Sequence, residues 1–186
     1  MKRLTTFPGR KRPMIQDSKT RYGTISRFLH WSMALLVAWQ VLKFGDRISD
    51  GEHWIGQNLV PWHISIGTLL LVLIVVRLFW AVRQSARRPE PNASMAKLVK
   101  AGHGLLYLAL LLMPVTGMMV MLGGGYGLTA FGIEVFPRGD GLDWAKALGR
   151  LHSPLAWLLS ALIVGHVVMA LGHHFLKGDD TLKRMM

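Results

Sequence analysis

The sequence predicts an all-α integral membrane protein, a four-helix bundle with both termini on the cytoplasmic side. Three observations predict it. Four stretches, residues 28–45, 61–82, 102–122 and 152–175, are nearly free of charge. Each is close to the roughly 20 residues that an α-helix needs to cross the hydrocarbon. The chain is basic, with a net charge of +12, and its basic residues cluster in alternate connecting segments. Finally, most of its eight histidines lie within or beside the apolar stretches.

Residues 1–24 form a basic extension, with Lys2, Arg3, Arg10, Lys11, Arg12, Lys19 and Arg21 against Asp17. Pro8 and Pro13 and the polar composition predict disorder, then an approach along the membrane surface to a transmembrane domain over residues 25–186. The extension offers charge to anionic lipid or to a partner. No apolar run in it suits a signal peptide. In the first span the one full charge is Lys43, expected to snorkel outward. The next loop has Arg47 against Asp46, Asp50 and Glu52. The second span contains Arg77. The loop after it is basic, with Arg83, Arg87, Arg88, Lys97 and Lys100 against Glu90.

The third helix is expected to begin around residues 95–100, before the membrane, and to kink at Pro114, which neighbouring helices tolerate. Gly123, Gly124 and Gly125 end it. The following loop balances Arg138, Lys146 and Arg150 against Glu134, Asp140 and Asp143. Within it, residues 143–149 are predicted to form a short interfacial helix. Basic loops stay in the cytoplasm, so both termini and the middle loop belong there. Topology thus accounts for the charge, which sets nucleic acid aside as a partner. Lys43, Arg47, Arg138, Lys146 and Arg150 could still gather into a basic funnel on the outer side. The seven tryptophans lie mostly near span ends, as an aromatic belt does; Trp39 and Trp157 sit deeper, where they could pack on a flat ligand. There is no cysteine. That excludes disulfides, thiolate-held iron–sulfur clusters and covalent haem.

The histidines carry the functional reading. Ionisable side chains are expensive in hydrocarbon and usually functional there. His152 and His166 are 14 residues apart, about 40° short of four whole turns and about 21 Å along a helix. They therefore share a face at two depths, which suits two non-covalent haems stacked across one membrane. Each haem needs a second ligand at its own depth. The first span enters from the cytoplasm and places His30 on that side. The second and fourth enter from outside and place His63 and His152 there. The pairs are then His63 with His152 and His30 with His166, holding two low-spin haem b groups. Depth alone leaves an alternative open: His173 shares the face of His166 and could pair with His30, and His103 lies at a similar depth. Arg77 lies 14 residues after His63, where it could snorkel, meet a haem propionate or polarise a quinone carbonyl. Gly67, Gly104, Gly117 and Gly165 would allow close approach.

These residues resemble the bacterial cytochrome b561 family over roughly residues 20–186. The first span opens Arg27-Phe-Leu-His30-Trp31, the second Trp62-His63-Ile-Ser-Ile-Gly67, and the third Gly102-His103-Gly-Leu-Leu-Tyr107. The second also contains Val76-Arg77-Leu78. The fourth contains Leu151-His152, Gly165-His166 and Leu171-Gly172-His173-His174-Phe175, and the chain closes with Asp180-Thr-Leu-Lys-Arg-Met-Met186. The resemblance implies a multi-pass di-haem b cytochrome of the bacterial inner membrane, with His30, His166, His63 and His152 as the iron ligands. It also implies an oxidoreductase that takes electrons from superoxide at the periplasmic face and passes them to ubiquinone, with Arg77 and His173 near the quinone. The competing expectation is a cytochrome b subunit that links a dehydrogenase, a hydrogenase or a periplasmic redox partner to the quinone pool. A haem carrier or scaffold is the third reading, and permanent bis-histidine ligation argues against it.

Overall fold

The computed structural model describes residues 14–45, 53–90 and 95–186. Their helices and strands are α1 (Thr24–Val41), α2 (Trp54–Asn58), α3 (His63–Arg83), α4 (Ala96–Gly123), β1 (Leu128–Ala130), β2 (Ile133–Phe136), α5 (Asp143–Gly149) and α6 (His152–Phe175). Four of the helical segments are long and apolar enough to cross a membrane. Helix is the form that apolar sequence takes there, because the bilayer core has no water to satisfy the backbone. The long α4 starts at Ala96, as expected, and carries Pro114 within it. The short helix expected over residues 143–149 is α5. The disorder expected of residues 1–13, and Arg47, lie outside the described residues.

The long helices pack in sequence: α1 along α3, α3 along α4, and α4 along α6. An apolar core of Met33, Ile66, Leu70 and Ile74, with Leu110 and Leu111 against it, lies between α1, α3 and α4. The fourth helix, α6, adds only Leu159 to the buried apolar residues. It meets the first span through rings, His30 near His166 and Phe44 against Trp157, the latter centroids 4.6 Å apart. The interior beside α6 is therefore less filled by aliphatic side chains than the interior between the other three. Apolar residues such as Leu35, Val72, Phe79 and Val164 point outward, as lipid-facing residues do.

At one end of the bundle residues 14–23, the C-terminal tail and the start of the loop after α3 are fastened together. Residues 14–23 form a strap centred on buried Asp17. Its carboxylate accepts from the Gly23 N–H at 2.8 Å, the Ser26 hydroxyl at 2.6 Å and Arg88 Nε at 3.1 Å. The Trp80 indole N–H donates to the Ser26 hydroxyl at 3.0 Å. The tail joins the same end: Tyr22 N–H donates to the Arg184 carbonyl, and the Trp31 indole to the Met185 carbonyl. Among the described residues this groups the segment before α1, the C-terminal tail and Arg88 of the middle loop on one side. A Cβ on Gly23 would stand 2.4 Å from the Ile15 carbonyl oxygen, so only glycine fits under the strap. Removing a buried charged acceptor costs about 2 kcal/mol or more. We therefore expect Asp17→Ala to lower the melting temperature of the detergent-purified protein, with Asp17→Asn in between. An unchanged melting curve would show that the strap does not stabilise the bundle.

The opposite end carries α2, the two strands and α5. The bundle is helical as expected, and the two strands add a short hairpin where the sequence predicted only a loop before the short helix. They pair antiparallel, Thr129 opposite Glu134 and Ala130 opposite Ile133. Phe131 and Gly132, at φ 52° and 81°, make the two-residue turn whose twist suits a hairpin. The Phe131 N–H donates to the Ser65 hydroxyl at 3.1 Å, which docks the turn on the start of α3.

Candidate functional site

His63 opens α3 and His152 opens α6, both at the hairpin end. Their ring centroids stand 6.1 Å apart at 89°. Two imidazoles on opposite sides of one iron stand about 6 Å apart, from two metal–nitrogen bonds of about 2.0 Å and half of each ring. The pair therefore has the span that axial ligation needs. His152 Nδ1 lies 3.1 Å from the Met113 carbonyl and 3.3 Å from the Thr116 hydroxyl. With Nδ1–H donating to that carbonyl, Nε2 keeps its lone pair for a metal. A Cβ on Gly117 would stand 3.0 Å from His152 Cε1, so glycine leaves the ring its place. Gln40 Nε2 donates to the His63 carbonyl at 3.0 Å. An apolar cavity between the two histidines is lined from all four long helices, by Met33, Val37, Gly67, Leu110, Pro114 and Leu159 among others.

The second group sits at the end that carries the termini. His30 on α1 and His166 on α6 have ring centroids 6.2 Å apart at 68°, nearly the separation of the first pair. His103 on α4 is closer to His166, at 5.5 Å, which is short for sharing one iron. Among the described residues no three or more ligating side chains gather around a point that could hold a bare metal ion. Paired imidazoles suit an iron whose equatorial ligands come from a macrocycle.

The structure sets His30 against His166, while His173 turns to Asp179, with Nδ1 2.7 Å from Oδ2. Arg77 on α3 lies beside this second group. Its guanidinium lies 2.9 Å from His30 Nδ1 and sits over the Tyr107 ring at 5.6 Å. A guanidinium has only donors, so this Nδ1 accepts, and a neutral His30 then carries its proton on Nε2. Binding iron through Nε2 requires Arg77 to release the ring. The hairpin-end pair needs no such exchange.

Other expected roles resolve locally. His53 caps α2, accepting from the Gly56 N–H at 2.9 Å. His174 packs on Phe175. Trp39 donates its indole N–H to the Leu59 carbonyl, and Trp157 lies on Phe44, so both have protein partners. Arg138, Lys146 and Arg150 are exposed at the hairpin end, among exposed Glu134, Asp140 and Asp143. Sequence reasoning missed Met113, Thr116, Gln40 and Asp179. Only Asp179, six residues after His173, carried a local signal.

A family profile described as "Prokaryotic cytochrome b561" matches residues 21–186. The chain is 36% identical over 181 residues to "Cytochrome b561 homolog 2" of Escherichia coli K12, covering 91% of this chain and 93% of that one. It is 28% identical over 176 residues to "Probable superoxide oxidase CybB" of Yersinia pestis, covering 89% and 96%. It is 33% identical over 172 residues to "Cytochrome b562" of Cereibacter sphaeroides, covering 89% and 94%.

Proposed function

Since the chain belongs to the prokaryotic cytochrome b561 family, and so is a multi-pass bacterial membrane protein of b-type cytochrome electron transfer, we propose that it holds two haems, oxidises superoxide at the periplasmic face and reduces ubiquinone. The observation that carries this is the pair of histidine pairs. His63 with His152 and His30 with His166 have nearly equal ring separations, 6.1 and 6.2 Å, at two depths of one bundle. The likeness to a protein named a superoxide oxidase supports the donor. The hairpin end faces the periplasm on this reading, because the basic segments gather at the other end.

The haems supply one-electron chemistry when bound. The chain's own residues orient and insulate. The Met113 carbonyl and the Thr116 hydroxyl hold the His152 ring, and Gly117 leaves it room. The apolar lining around the pair keeps water out. At the other end Arg77 is free to polarise a quinone carbonyl once it leaves His30. His173 lies two helical turns beyond His166, towards the same aqueous side. The stoichiometry closes: two superoxide anions become two dioxygen molecules and release two electrons, and one ubiquinone takes two electrons and two protons.

A reduced-minus-oxidised visible spectrum of the purified protein, with haem counted per chain, tests the core of the proposal. Two low-spin b haems per chain are expected. One haem, or none, would break the two-pair assignment. With two haems established, superoxide generated in the presence of ubiquinone-1 should yield ubiquinol-1. Its failure to do so would favour the reading of the chain as a partner's cytochrome subunit.

A further inference from the structure

The end of α6 contains a second arrangement that the haem pairs leave unused. Asp179 is joined twice to one residue: its N–H donates to the His173 carbonyl at 3.2 Å, and its Oδ2 meets His173 Nδ1 at 2.7 Å. Gly178, at φ +65°, turns the chain so that both contacts form. The other carboxylate oxygen accepts from the Thr181 N–H at 3.0 Å. The His173 side chain is 14% exposed and that of Asp179 38%, so the imidazole is sheltered and the carboxylate meets water.

We infer that Asp179 is a positioning residue that holds the His173 ring with Nδ1–H towards its carboxylate and Nε2 towards the quinone. This rests on the quinone reading above. A carboxylate on Nδ1 fixes the tautomer and stabilises the imidazolium, which is the role of the aspartate in a catalytic triad. Hydrogen bonds from Thr181 and from His173 hold the Asp179 carboxyl well below the usual carboxylate range, so it stays an acceptor. In the step itself the Nε2–H bond of the His173 imidazolium breaks and one O–H bond forms on the quinone, the second quinol proton coming from water on the same side. The quinone's electrons come from superoxide, and the ring regains its proton from water on the same side. Arg77, once it leaves His30, polarises from within the bundle, and His173 delivers the proton from its edge.

The experiment compares Asp179→Asn, Asp179→Glu and His173→Gln with the intact protein. It reads haem content, ubiquinone-1 binding by calorimetry, and superoxide-driven ubiquinone-1 reduction. Asparagine at 179 should leave both haems in place, lower kcat about tenfold or more, and change KM for superoxide little. Glutamate should restore part of the rate. Combining Asp179→Asn with His173→Gln should be no worse than His173→Gln alone. Wild-type rates in Asp179→Asn, additive losses in the double variant, or loss of haem on Asp179→Asn would each overturn the inference. If the intact protein reduces no quinone, the functional reading fails instead, and unaltered ubiquinone-1 binding in Asp179→Asn would then sink the inference as well.

Discussion

Replacing His152 with alanine should take haem content from two per chain to one. The ring is held on three sides, by the Met113 carbonyl, the Thr116 hydroxyl and the space left by Gly117, and it faces His63 at 6.1 Å. On the proposed pairing, alanine removes the donor nitrogen and would leave His63 as a single ligand in an apolar cavity. The His30–His166 pair lies about 21 Å further along α6 and shares none of these supports. Its haem should therefore remain. His166→Ala should give the complementary result, with loss of the other haem. Difference spectra and pyridine haemochrome counts on both variants decide the matter. A His152→Ala protein that keeps two b haems would show that His63 and His152 are not a ligand pair.

The second large effect is expected at a residue with no chemistry of its own. Gly123 closes α4, and a Cβ there would lie 2.4 Å from Lys146 N and 2.5 Å from Lys146 Cα. These are backbone atoms of α5 and cannot swing aside. The partner glycine is Gly149, whose Cβ would stand 3.0 Å from the Val120 backbone. The two helices thus touch main chain to main chain, as small residues allow. Gly123→Val would force α5 away, and overpacking of this kind costs about 1–3 kcal/mol or more. Only Arg150 and Leu151 separate α5 from His152, so the displacement reaches the proposed ligand ring directly. We expect a lower melting temperature and selective loss of the hairpin-end haem, with the other haem retained. An unaltered melting curve with both haems present would mean that α5 does not set the position of His152.

Arg77 shows where reasoning along the chain stops. Its depth was legible, since it follows His63 by 14 residues and charges in hydrocarbon are rare. Its partner was not. Whether it reaches His30, Tyr107 or a neighbour of His173 depends on how α1, α3 and α4 are rotated about their axes. The structure places it on His30 Nδ1. The hairpin was missed for a different reason. The run from Leu128 to Phe136 holds β-branched and aromatic residues around Phe131-Gly132, a usable turn signal. It lies between two long apolar helices, where the span pattern dominates the reading.

The sequence alone determined the four spans and the end of the bundle at which His30, His63, His152 and His166 stand. A bilayer supplies the axis for this: apolar length sets where a helix lies, loop charge sets its direction, and counting residues from the aqueous edge then gives depth. Depth was enough to nominate His63 with His152, and to leave His30 between His166 and His173. The tertiary structure decided the rest: that His30 faces His166, that His173 is bound to Asp179, that Met113 orients His152, and that Gly123 and Gly149 bring α5 against α4. Each of these depends on helix rotation, tilt and close approach, and those follow from side chains packing against neighbours distant in the chain.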